Sequence, residues 1–149
     1  MKLFIRKAEL SDWLPVKDLL IRLHDSAPYS DVPVNESDMK RTFATTAKSK
    51  HAISLVVTDK KHNIHGIMIG VIQPNWWGAK CAIELVTYCE KPGWQDKLLS
   101  RYKQWAKEKK AAITTVVNSA GVNERYDKLI SKKGFSKTGS VHMMTLEEL

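Results

Sequence analysis

Residues 2–7 alternate modestly between apolar and polar side chains, and residues 52–58, 64–72 and 81–89 form longer runs rich in Val, Ile, Leu and Thr. Successive strand side chains point to opposite faces, so these four runs predict β-strands. The polar segment Asp59-Lys-Lys-His-Asn63 predicts a five-residue hairpin loop, and Gln73-Pro-Asn-Trp-Trp-Gly78 a second turn. The last three of these strands therefore form an antiparallel meander.

A period of 3.6 marks the remaining segments. Trp13, Val16, Leu19, Leu20 and Leu23 follow the i, i+3, i+4 spacing of a first helix, which Ser11-Asp12 can cap and whose first turn tolerates Pro15. Residues 26–34, with two prolines, read as a loop, and Asn35-Glu-Ser-Asp38 opens a second helix with Met39, Phe43 and Ala47 on one face. From Gln95 to about Lys110, Leu98, Leu99, Tyr102, Trp105 and Ala106 share one stripe with charge opposite. A strand over residues 112–117 follows, so that strand–helix–strand unit is expected to be a right-handed parallel crossover. Residues 123–133 predict a short helix, and 135–146 a closing hairpin around Gly139. The order is β-α-α-β-β-β-α-β-α-β-β, an α/β (α+β) chain read as one domain over residues 1–149, without repeats or linkers.

Composition narrows the classes. A chain of 149 residues can bury about two-thirds of its unfolded surface, enough for its own core. Its longest apolar stretches fall well short of the ~20 residues a membrane span needs, and the early charges at Lys2, Arg6 and Lys7 do not suit a signal peptide. A cytoplasmic protein is expected, with no membrane partner. Cys81 and Cys89 lie eight positions apart on one strand, roughly 26 Å, too far for a disulfide. Neither the cysteines nor the five histidines have metal-ligand spacing, so no metal is expected. The net charge of +8 suits an anionic partner, although a solvated lysine-rich surface is the commoner account of such a charge. RNA is one such partner, weakly indicated because only five arginines are present and aromatic residues are not interleaved with the lysines.

The most informative stretch runs from Cys81 to Phe135. A strand meets the turn Glu90-Lys-Pro-Gly93-Trp-Gln95 and passes directly into a helix. Helix N-termini present N–H groups without intrahelical partners, and the helix dipole adds about half a positive charge there, so the turn is a candidate anion site. Together with Ile5-Arg-Lys-Ala-Glu-Leu-Ser-Asp-Trp13, His65-Gly-Ile-Met-Ile-Gly70, Trp105-Ala-Lys-Glu-Lys109 and Asn123 followed by Gly134-Phe135, this order of elements resembles the GNAT acetyltransferase superfamily. In style the chain is similar to small GNAT-like proteins encoded by bacteriophages, which would place it in the host cytoplasm.

The resemblance implies a mixed sheet whose last parallel pair splays apart to hold acetyl-CoA. It implies pantetheine pairing with backbone at Val86, Thr87 and Tyr88, and pyrophosphate on the turn formed by Lys91, Gly93, Trp94, Gln95, Asp96 and Lys97, with Asn118 and Asn123 nearby. The family pattern, Arg/Gln-x-x-Gly-x-Gly/Ala, is met at Gly93 alone: Glu90 brings an acid and Gln95 a side chain. Glu84, the one acid in an apolar strand, is the candidate general base, and burial would raise its pKa. The family's tyrosine acid falls on Ile130; Tyr126, one helical turn earlier, and Ser119 are substitute candidates. Tyr29, Trp76 and Trp77 are candidates for the acceptor side. The expected function is acetyl-CoA-dependent N-acetylation of an amine on a small molecule, a protein or an aminoacylated RNA. The alternative is a GNAT-fold protein without catalysis that binds or assembles, as a homodimer or within a virion.

Overall fold

A computed structural model describes residues 1–117, 124–139, 142 and 144–146. Five strands form one sheet in the order β1-β2-β3-β4-β5: β1 Leu3–Lys7, β2 Ala52–Asp59, β3 Ile64–Pro74, β4 Lys80–Cys89 and β5 Ile113–Thr115. The first four pair antiparallel, and β5 joins β4 in parallel. The helices are α1 Trp13–Asp25, α2 Glu36–Lys48, α3 Trp94–Glu108 and α4 Glu124–Lys132. The expected mixed sheet and its strand–helix–strand crossover are present. The closing hairpin is not seen: the described residues of 135–146 carry no strand.

Strand alternation divides the core into two layers. Val56, Ile67 and Ile69 pack on one face with Trp13, Val16 and Leu19 of α1 and Phe43 of α2. Leu55, Val57, Met68 and Ala82 pack on the other face with Leu98, Tyr102, Trp105 and Ala106 of α3. Each Val, Leu, Ile, Met or Phe among them, fully buried, contributes roughly 1.5–3 kcal/mol by leaving water. Gly70 of β3 lets α3 sit close, since a Cβ there would lie 3.1 Å from Tyr102 Cε1 and 3.3 Å from Ile53 Cγ2.

Polar groups secure the ends of the elements. The Asp12 carboxylate does not cap α1, as the sequence suggested. It accepts two 2.8 Å bonds from the Arg6 guanidinium and a third from the Glu9 N–H, closing the 3-10 turn Leu10–Asp12 that precedes the helix. Burial raises the Asp12 pKa, but the bonds from Arg6 and Glu9 outweigh it and the net shift is downward. α2 begins where expected, and Asn35 caps it by accepting from the Asp38 N–H at 3.1 Å.

Candidate active site

The site is built where β4 loses its neighbour. β5 pairs with β4 only over Cys81–Ile113, Ala82–Thr114 and Ile83–Thr115. From Glu84 onward the outer edge of β4 has no strand beside it among the described residues, and its backbone groups are available to an extended ligand. On the other side, Ile69 of β3 pairs with Val86 while Gly70 pairs with Glu84, leaving Leu85 as the extra residue of a β-bulge. The bulge resets the alternation. Glu84 and Thr87 consequently share the sheet face that α3 covers, while Val86 and Tyr88 turn to the α1 face.

Glu84 is 7% exposed, so its side chain is withdrawn from solvent although it opens the unpaired stretch of β4. Its Oε1 accepts the Val117 N–H at 3.3 Å, across the gap where β5 has ended. Burial pushes its pKa up, and the Thr87 hydroxyl and the Val117 N–H only partly offset that rise. Tyr126, buried on α4, is electrostatically coupled to Glu84: burial and the Glu84 charge raise its pKa, and the Thr87 hydroxyl opposes the rise. Tyr102 closes the floor, donating to the Thr115 carbonyl at 2.9 Å, and burial pushes its pKa up to about 12. The fold thus gathers Glu84, Thr87 and Tyr126 from two elements about forty residues apart.

At the far end of β4, Gly93 adopts φ 83°, ψ −14°, left-handed backbone that a glycine accepts without strain. No side chain caps α3, and a Cβ at Gly93 would meet nothing within 4 Å, so the helix N-terminus is open to a ligand. The acidic residues around it are each engaged by a base. Glu90 Oε1 accepts from Arg22 Nε of α1 at 2.7 Å, and Asp96 pairs with Lys133 beyond α4, whose ammonium also donates to Ser100 at 2.7 Å. The ammonium of Lys97 lies over the Trp94 ring, 3.9 Å from its centroid. The Lys91 N–H donates to Cys89 Sγ at 3.4 Å, which shapes the turn. Gln95 is half-buried in the first turn of α3.

Tyr29 stands in the segment after α1, half-buried with its ring 5.9 Å from that of His24. α1 ends where β4 ends, because Arg22 reaches Glu90, so Tyr29 and the α3 N-terminus share one end of the sheet. Trp76 and Trp77 are not brought to that end. They precede Lys80, itself four strand residues, roughly 13 Å, from Glu84. Asn118, Ser119 and Asn123 lie outside the described residues. Sequence reasoning missed Arg22, the bulge at Leu85 and the Thr87 side chain. Arg22 and Glu90 are 68 positions apart, and no periodicity links them.

No protein-family model matches the chain, and no curated protein sequence does. Solved structures match over nearly the whole length. AAC(6')-Iy, in complex with the bisubstrate analogue CoA-S-monomethyl-acetylneamine, superposes with TM-score 0.73 at 13% identity, covering 99% of each chain. A predicted acetyltransferase with acetyl-CoA from Clostridium acetobutylicum gives 0.69 at 16% identity, covering 97% of this chain and 96% of that one. A GNAT family acetyltransferase from Staphylococcus aureus gives 0.62 at 18% identity over 98% and 100%. The chain carries the GNAT acetyltransferase fold.

Proposed function

We propose that the protein is an acetyl-CoA-dependent N-acetyltransferase whose acceptor is a primary amine on a small molecule. The observation that carries this reading is Glu84, a buried carboxyl with a raised pKa placed where the parallel pair of strands parts. The residues present fit the co-substrate. The unpaired edge of β4 at Val86, Thr87 and Tyr88 suits an extended pantetheine arm, and the open α3 N-terminus at Gly93 suits phosphate. Arg22 removes the objection raised by Glu90, because the pair is neutral where an unpaired acid would repel phosphate.

Glu84, once ionised, takes a proton from the acceptor ammonium, and the freed amine attacks the thioester carbonyl carbon. As the C–N bond forms and the C–S bond breaks, the nitrogen sheds its second proton and the departing thiolate takes one up, leaving a neutral amide and a thiol. Tyr126, a buried hydroxyl that feels the Glu84 charge, is the candidate donor, and Thr87 influences both groups. Solved neighbours with acetyl-CoA and with a CoA analogue support the co-substrate class.

Isothermal titration with acetyl-CoA tests the reading. Micromolar affinity is expected, and Gly93→Asp should abolish it by placing a carboxylate and a strained φ of 83° at the phosphate position. The fold should persist, because an acid at a helix N-terminus is favourable. No binding at millimolar acetyl-CoA would favour the second reading, a GNAT-fold protein without catalysis serving as a binding or assembly component. Gln95 in the phosphate turn and Ile130 in place of the family tyrosine favour that reading.

A further inference from the structure

The turn between β3 and β4 holds two tryptophans in solvent: Trp76 is 91% exposed and Trp77 86%. At those exposures neither ring covers the other. Large aromatic rings left in water cost free energy, and here the backbone presents them rigidly. Asn75 Oδ1 accepts from the N–H groups of Trp77 at 3.0 Å and Ala79 at 2.9 Å. The Asn75 N–H donates to the Ala79 carbonyl at 2.8 Å, and Gly78 at φ 76° closes the turn onto the Asn75 carbonyl at 3.0 Å. A turn pinned at four points does not need its tryptophans for its own folding.

The fold surrounds this turn with lysine. The Ile72 N–H bonds the His51 carbonyl at 2.8 Å, which brings Lys50 to the same end of the sheet. The Ala112 N–H bonds the Lys80 carbonyl, and Lys80 Nζ bonds the Lys109 carbonyl, each at 2.9 Å, so the C-terminal end of α3 lies there too. Lys50, Lys80, Lys107 and Lys110 are all exposed, and among the described residues none forms an ion pair with a carboxylate. Glu108 is the acid on this stretch of α3, and it accepts from Gln104. The fold brings aromatic and basic side chains that are scattered in the sequence to one end of the sheet.

We infer that this end of the sheet binds single-stranded nucleic acid, the bases stacking on Trp76 and Trp77 and the phosphates lying against Lys50, Lys80, Lys107 and Lys110. An apolar protein partner would use the rings but not the four lysines, which have no carboxylate partner among the described residues. Stacked bases on a charged backbone use both, and base–aromatic stacking does not require a particular sequence. The surface lies at the opposite end of β4 from the Gly93 turn, so the inference does not depend on acetyl transfer.

The test is fluorescence anisotropy of a labelled oligouridylate of about twelve nucleotides, titrated with the full chain at several salt concentrations. Micromolar affinity at about 50 mM salt is expected, with a log–log salt slope of about −2.8 if four lysines engage phosphates. Trp76→Ala with Trp77→Ala should weaken binding about tenfold or more, whereas Trp76→Phe with Trp77→Phe should hold it within about threefold. Lys50→Ala with Lys110→Ala should reduce the slope by about 1.4. Circular dichroism and the acetyl-CoA titration should be unchanged in all three variants, which separates this site from the wedge. Absence of binding at low salt, or binding that the double alanine variant retains, would overturn the inference. So would sedimentation showing that the tryptophans join two copies of the chain while the oligonucleotide stays free.

Discussion

Glu84 is costly to keep. A carboxylate buried this deeply is favoured in its neutral form, and its raised folded-state pKa means that the folded protein holds the proton more tightly than the unfolded chain does. Stability linked to this group is therefore fully present below the ordinary glutamate pKa and is lost as pH rises through the folded value. Glu84→Gln removes that penalty. The variant should melt higher than the parent at neutral pH, with the difference shrinking as the pH falls through the raised folded-state value and gone below the ordinary value of 4.5. Its kcat should drop about a hundredfold or more while its affinity for acetyl-CoA stays within about twofold. A variant of unchanged stability and unchanged turnover would show that Glu84 is a packing residue. The singular acid in an apolar strand was legible in the sequence. That Thr87 and Tyr126 attend it was not, because a bulge at Leu85 decides which side chains face α3, and alternation alone places Thr87 opposite Glu84.

The β2–β3 hairpin depends on one side chain. Asp59 Oδ1 accepts from the N–H groups of Lys61 at 2.8 Å and Asn63 at 3.1 Å, and Oδ2 accepts from Asn63 Nδ2 at 3.1 Å and lies 3.3 Å from His65 Nε2. These bonds hold His62 at φ 65°, a left-handed conformation that an L residue seldom adopts. Burial pushes the Asp59 pKa up, but the bonds from Asn63, His65 and Lys61 outweigh it and bring it from 3.8 to about 2. The stabilisation is present above pH 3.8 and is lost as the pH falls towards 2. Asp59→Ala should lower the melting temperature at neutral pH, and thermal melts near pH 2 should find the two proteins closer together. A constant difference across that range would refute the assignment. Elements of this kind explain the uneven legibility of the fold. Segments with a clear period and a polar loop, such as β2, β3 and α3, were readable to within a residue or two. β5 was expected over residues 112–117 but spans Ile113–Thr115, because it leaves the sheet once Glu84 takes the Val117 N–H in place of a strand. Asp12 looked like a cap and serves Arg6 instead, a partner reached only across the turn.

The molecule presents two different ends. At one, β4 stops beside the C-terminus of α1 and the open N-terminus of α3, with Arg22 neutralising Glu90. At the other, the tryptophan turn shares its end of the sheet with Lys50 before β2, Lys80 of β4, and Lys107 and Lys110 at the C-terminal end of α3. The chain's +8 charge is distributed over both, and composition alone could not tell them apart. The GNAT fold was readable from the order of elements even though one pattern position of the phosphate turn survives at Gly93, because that order follows from periodicity and the turn chemistry does not. That the edge of β4 left without a neighbour among the described strands is the seat of the co-substrate is the central claim. Amide hydrogen exchange, followed residue by residue with and without CoA, addresses it directly. The account predicts slowed exchange along β4 after Glu84 and in the first turn of α3, with the Trp76–Trp77 turn unaffected. Saturating CoA that leaves the Val86 to Tyr88 and Gly93 to Lys97 amides exchanging at their unliganded rates would contradict it.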